Sequence, residues 1–85
     1  MLYGTQIITV KEGEREWSAP VTFRPAFSRK PIVVCSLDDT GIYQDPGYLG
    51  CLAANVSPQG FIAKVELIAE GSIREHDYSF YWFAK

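Results

Sequence analysis

Histidine is all but missing from this 85-residue sequence: His76 is the single imidazole. It stands in a charged stretch, SIREHDYS, where no serine or cysteine is tied to it by a recognisable motif, so a catalytic role for it is not expected. Cysteine is limited to Cys35 and Cys51, and two thiols with one imidazole are too few for a zinc site of the paired-cysteine type. They can form one disulfide or remain reduced core thiols, and their apolar settings, IVVCSL and LGCLAANV, suit a small buried residue. Charge of one sign is also lacking. Eight Lys+Arg against ten Asp+Glu give a net charge of -2, which disfavours a phosphate-binding surface and hence a nucleic-acid partner. No apolar run approaches the ~20 residues that cross a bilayer. The opening MLYGTQ carries neither the basic nor the apolar region of a signal peptide, so membrane insertion is not expected. Helical periodicity over three turns is missing as well.

What the chain does have is turn residues at short, regular intervals. Gly13, Pro20, Pro25, Pro31, Gly41, Pro46, Gly47, Pro58, Gly60 and Gly71 cut it into segments rich in Val, Ile, Thr, Tyr and Phe. Six strands are predicted: 5–11, 20–24, 31–37, 48–56, 60–68 and 77–84. One domain covering residues 1–85, an all-β six-stranded antiparallel sandwich, is the expected architecture. In the fifth strand Phe61, Ala63, Val65 and Leu67 alternate with Ile62, Lys64, Glu66 and Ile68, so one set packs inward. The sixth strand carries aromatics on both faces: Tyr78, Phe80 and Trp82 on one, Tyr81 and Phe83 on the other. It is therefore either central in a two-layer structure or faces another subunit. A domain this small buries only ~60% of its unfolded surface and gains from association. Ile62, Ile68, Tyr81 and Phe83 are accordingly the candidate oligomer interface.

In an up-and-down path, odd-numbered loops gather at one end and even-numbered loops at the other. Loops one, three and five hold Glu12, Glu14, Glu16, Asp38, Asp39, Asp45, Glu70, Glu75 and Asp77, all the acids but Glu66, whereas the even loops hold Arg24, Arg29 and Lys30. The sandwich is thus expected to have an acidic, aromatic-rich end (Trp17, Tyr43, Tyr48) and a basic end. Loops over a rigid sheet that carry aromatic, carboxylate and amide side chains together suit a binding surface. Asp38, Asp39, Tyr43, Asp45 and Tyr48, with Arg74 and His76 beside or across a subunit boundary, are the candidate ligand-binding residues. The oxygens of Asp38, Asp39, Thr40 and Asp45 lack the spacing of a cation loop and read as a solvated turn, so neither metal nor cofactor is expected. Asn55-Val56-Ser57 fits a glycosylation acceptor formally, but its place at a strand-to-turn transition before Pro58 reads as chance.

Three stretches in order, VTFRPAFSRKPIVVCSL, NVSPQGFIAKV and YSFYWFA, resemble the H-type lectin pattern over about 65 residues. The matched features are an apolar-x-Phe strand, a turn with an aromatic, a Pro opening a long apolar strand, a Gly-Phe pair and a final strand with Trp. The resemblance implies a six-stranded antiparallel sandwich, a homotrimer and non-enzymatic binding of a cell-surface glycan. It also implies kinship with the distal domains of bacteriophage tail-fibre and baseplate proteins, hence a virion-tail or extracellular location. A structural trimerisation or capping module is the alternative. The matched positions are scaffold: Phe23, Phe27 and Trp82 for the core, Gly60 for the turn. The family's sugar-contacting Arg on strand four and Trp-His pair ending strand five are absent, replaced by YLGCLAANV and LIAEG.

Overall fold

The computed structural model describes residues 1–39, 49–68 and 74–85. Six strands follow in order: β1 (Leu2–Val10), β2 (Glu16–Thr22), β3 (Val33–Asp39), β4 (Leu49–Ser57), β5 (Gly60–Leu67) and β6 (His76–Ala84). They form two three-stranded antiparallel sheets, ordered β1-β6-β3 and β2-β5-β4. Only β4 and β5 are joined as a hairpin within one sheet. β1 to β2, β2 to β3, β3 to β4 and β5 to β6 each pass between sheets, where simple neighbour pairing was expected.

The inner faces follow the alternation of the strands, except that Ser79 of β6 is buried as well and a bulge shifts the inward set of β4 from Ala53 to Val56. Ile8 and Val10 of β1, Trp17 of β2, Leu49 of β4, Phe61, Ala63 and Val65 of β5, and Tyr78, Phe80 and Ala84 of β6 are buried, joined by Phe23 just beyond β2. At the centre of this core Phe61 meets Trp82 edge-on at 5.4 Å, and Phe23 meets Phe27 edge-on at 5.0 Å. Such pairs contribute roughly 0.5–1.5 kcal/mol beyond area burial. β6 is central in its sheet, which accounts for its aromatic inner face. Its second face, with Tyr81 and Phe83, stays exposed.

Two strands differ from the expected spans for physical reasons. β1 begins at Leu2 rather than Thr5, because Gly4, a poor strand former by propensity, lies under the Trp82 ring: a Cβ there would meet Trp82 Cζ2 at 2.9 Å. β2 runs Glu16–Thr22 with Pro20 in its interior, which is tolerated because β2 is an edge strand. The earlier start brings Trp17 into the strand, facing inward, and not into a loop.

The chain's ends and its even-numbered connections share one pole. Leu2 lies opposite Ala84, and Ile32 and Lys85 exchange backbone hydrogen bonds of 3.0 Å. In the same region Phe23 N–H donates to Gln59 C=O (2.8 Å) and Phe27 N–H to Pro58 C=O (2.9 Å).

Candidate functional site

At the opposite pole the other strand ends converge. Val10 faces His76 and Asp39 faces Tyr78 in one sheet, while Glu16 faces Glu66 and Leu49 faces Leu67 in the other. The short link from Lys11 to Arg15 joins the two sheets there. It turns tightly: Glu14 N–H donates to Lys11 C=O (3.3 Å), and Gly13 at φ +88° takes the left-handed conformation that such a turn reserves for glycine. Arg15 then ties this link to the end of β5, accepting from Leu67 N–H (2.8 Å) and donating through Nη2 to Leu67 C=O (3.3 Å).

Glu12, Glu14, Glu16, Asp38, Glu75 and Asp77 therefore gather at one pole, with Arg24, Arg29, Lys30 and Lys85 at the other. The acidic pole is not bare of cations. Lys64 Nζ sits 3.2 Å from Glu66 Oε1 and 3.5 Å from Glu16 Oε2, and Glu66 first, then Glu16, holds its ammonium above the ordinary lysine range. Lys11, Arg15 and Arg74 lie at this pole too.

Among the described candidate ligand-binding residues, Asp38 and His76 lie on different surfaces. Asp38 is exposed on the outer face of β3, opposite Ser79. Asp39 ends β3. Arg74 is exposed just before β6. His76 opens β6 on the inner-face side, half-buried, its ring edge-on to Tyr78 at 5.0 Å. Asp38 and His76 thus stand on opposite faces of one sheet. Tyr43, Asp45 and Tyr48 lie outside the described residues. One pairing was not foreseen: Thr9 Oγ1 donates to Asp77 Oδ1 at 2.6 Å across the β1–β6 ladder. The signal for it is cross-strand register, which a single sequence does not display.

The candidate interface is likewise divided. Tyr81 and Phe83 are on the outer face of the β1-β6-β3 sheet, in rows with Thr5 and Ser36, and with Tyr3 and Val34. Ile62 is on the outer face of the other sheet between Pro20 and Ala54, and exposed Ile68 follows β5 beside Gly50. These four residues form no single patch. The larger apolar surface is the one with Tyr3, which is 83% exposed and was not among the four, together with Ile32, Val34, Tyr81 and Phe83.

Cys35 and Cys51 face each other across the seam between β3 and β4. They are free thiols with sulphurs 3.7 Å apart, Cys35 donating to Cys51. Asn55 sits in a bulge of β4 at φ 53°, and its Ser57 hydroxyl is engaged with Gly60 C=O and Gln59 N–H. No helix among the described residues is long and apolar enough to cross a membrane.

No protein-family model matches the chain, and no curated protein matches it by sequence. Its fold matches solved structures. A segment of the Pseudomonas phage phi297 tailspike gp61 superposes on 98% of this chain with a TM-score of 0.72 at 20% identity. An N-truncated R1-type pyocin tail fibre covers 95% with a TM-score of 0.56 at 13% identity. The chain corresponds to 14% of the tailspike and 69% of the pyocin fibre. This six-stranded sandwich is therefore a fold shared with a phage tailspike and a pyocin tail fibre.

Proposed function

We propose that this chain is the receptor-binding domain of a phage or prophage tail-fibre or baseplate protein, active on the virion tail and recognising a cell-surface glycan without chemistry of its own. The observation that carries the reading is the match of nearly the whole chain to a tailspike segment. The H-type lectin pattern in the sequence supports the choice of a glycan, and so does the acidic pole, where Asp38 and Arg74 are exposed. Three copies on one fibre would multiply a weak single-site affinity roughly 10²–10⁴-fold. The test uses the intact chain on immobilised Pseudomonas lipopolysaccharides, the source suggested by the tailspike's host. Asp38→Asn and Arg74→Ala are expected to lose binding at least tenfold with unchanged circular dichroism. Full binding by both variants overturns the pole as the receptor surface.

A specific observation favours a second reading, a trimerisation or capping module. The exposed row Tyr3, Phe83 and Val34, with Ile32 beside it, is apolar enough to seat another copy of the chain. Light scattering across a dilution series checks it. A mass near three times 9.5 kDa, falling to one chain in Phe83→Lys, is the expected result. A monomer at all concentrations removes the interface and the avidity argument with it.

A further inference from the structure

The sandwich has two open sides, because β1 and β2 are edge strands on one side and β3 and β4 on the other. The β3–β4 side is closed by Cys35 against Cys51. The β1–β2 side is not closed. A cleft of about 360 Å³ remains between the two edges, lined among others by Thr9 of β1, Trp17 and Ser18 of β2, Glu14 and Glu16 at the acidic pole, and Lys64 of β5.

Trp17 gives this cleft its significance. The side chain is more than nine-tenths buried, and its indole N–H has no hydrogen-bond partner. A buried donor left unmade costs about 1–3 kcal/mol, and folded proteins retain few of them. The other polar groups define what could satisfy it. Glu14 and Glu16 disfavour an anion, whereas Lys64 and the indole N–H disfavour a cation. Among the described residues no group of three or more His, Cys, Asp or Glu is placed to hold a metal ion. What remains is a neutral molecule that both accepts and donates. Carboxylates accept from hydroxyls, the indole N–H and the Lys64 ammonium donate to them, Ser18 can do either, and Ile7 and Ala19 offer apolar contact to C–H groups. The volume lies at the low end of ligand pockets, enough for one ring and not for a long chain.

We infer that the β1–β2 cleft is a binding site for a single neutral sugar ring, with the Trp17 N–H as a donor and Glu14, Glu16 and Ser18 as its hydroxyl partners. The ring enters from the open edge, and the indole shifts toward the cleft to meet it. The inference shares with the proposed function only the ligand's chemical class. It assigns a different place, on the flank of the sandwich.

The two tryptophans give two indole signals in a ¹H–¹⁵N spectrum, identified with Trp17→Phe. Titration with neutral monosaccharides (glucose, galactose, rhamnose, N-acetylgalactosamine) is expected to move the Trp17 signal and leave that of Trp82 in place. Glu14→Gln, at an exposed position that should not disturb folding, is expected to weaken the effect at least fivefold, and Arg29→Ala at the basic pole leaves it unchanged. If no sugar moves the Trp17 signal, and its proton exchanges rapidly with water, the cleft holds solvent only and the inference falls. Lipopolysaccharide binding measured on the same samples separates the two claims. Binding that persists with Trp17 unmoved overturns the cleft alone, and a Trp17 response without lipopolysaccharide binding overturns the receptor reading alone.

Discussion

Gly60→Ala is expected to lower the melting temperature by at least about 12 °C. Gly60 opens β5 directly after the Ser57-Pro58-Gln59 turn, paired with Thr22 of β2 on one side and Ser57 of β4 on the other. A Cβ there would lie 2.1 Å from the Val21 carbonyl oxygen and 3.2 Å from Thr22 Cα. Both obstacles are backbone, so no side chain can turn aside. β2 must move off β5, loosening the Phe23 N–H to Gln59 C=O bond that anchors the next turn. Overpacking typically costs 1–3 kcal/mol, and an obstacle made of backbone places this case near ~3 kcal/mol or above. That is a large share of the ~5–15 kcal/mol that holds a domain together, and each kcal/mol shifts the midpoint of a domain this size by about 4–8 °C. Gly13→Ala is the internal control, because nothing lies within 4 Å of its Cβ position and only the positive φ is strained, at about 1–2 kcal/mol. Thermal melts by circular dichroism decide. A Gly60→Ala midpoint within about 2 °C of the parent overturns the tight β2–β5 approach.

The second large effect is chemical. Burial, then the hydrogen bond and charge of Cys51, push the Cys35 thiol from 9.0 up to about 12. The thiolate is the reactive form. At pH 8 the unfolded chain therefore holds on the order of 10³ times more of it than the folded chain, and iodoacetamide is expected to label native Cys35 about 10²–10³-fold more slowly than denatured Cys35. The pH dependence follows from the direction of the shift. The fold favours the neutral thiol, so this contribution to stability is complete below pH 9 and is lost as pH rises toward about 12. Between pH 8 and 10 the native labelling rate is expected to climb roughly tenfold per unit, whereas the denatured rate levels off above pH 9. Peptide mapping after timed alkylation reads both rates. Native labelling within tenfold of the denatured rate overturns the assignment, as does a protein two hydrogens lighter with no free thiol.

Much of the fold was legible because alternation is local. Phe61, Ala63, Val65 and Leu67 announce the inner face of β5 within eight residues, and Ser57-Pro58-Gln59-Gly60 announces its turn. The two poles were also legible, since charge sorted by loop parity survives the chain's passage between sheets. What was hidden depends on partners distant in sequence. Gly4 reads as a strand breaker until Trp82, 78 positions on, is seen to occupy the space its missing side chain leaves. Pro20 reads as a boundary until β2 is known to be an edge. Trp17, read as a loop aromatic, belongs to the core wall for the same reason. The surroundings of the candidate residues were hidden for the same reason, because Asp38 and His76 stand on opposite faces of one sheet, while Thr9 and Asp77, distant in sequence, meet.

The placing of both chain ends at the basic pole has a mechanical meaning. β1 and β6 are antiparallel neighbours, with Leu2 opposite Ala84 and Val10 opposite His76. A pull that separates Leu2 from Ala84 loads the rungs of that ladder one after another, like a zipper, and opens it at low force. A pull between Leu2 and His76, or between Ala84 and Val10, runs along the two strands in opposite directions and loads all rungs of the ladder together in shear. Tethered at its basic pole and gripped at its acidic pole, the domain would be loaded in its stronger direction.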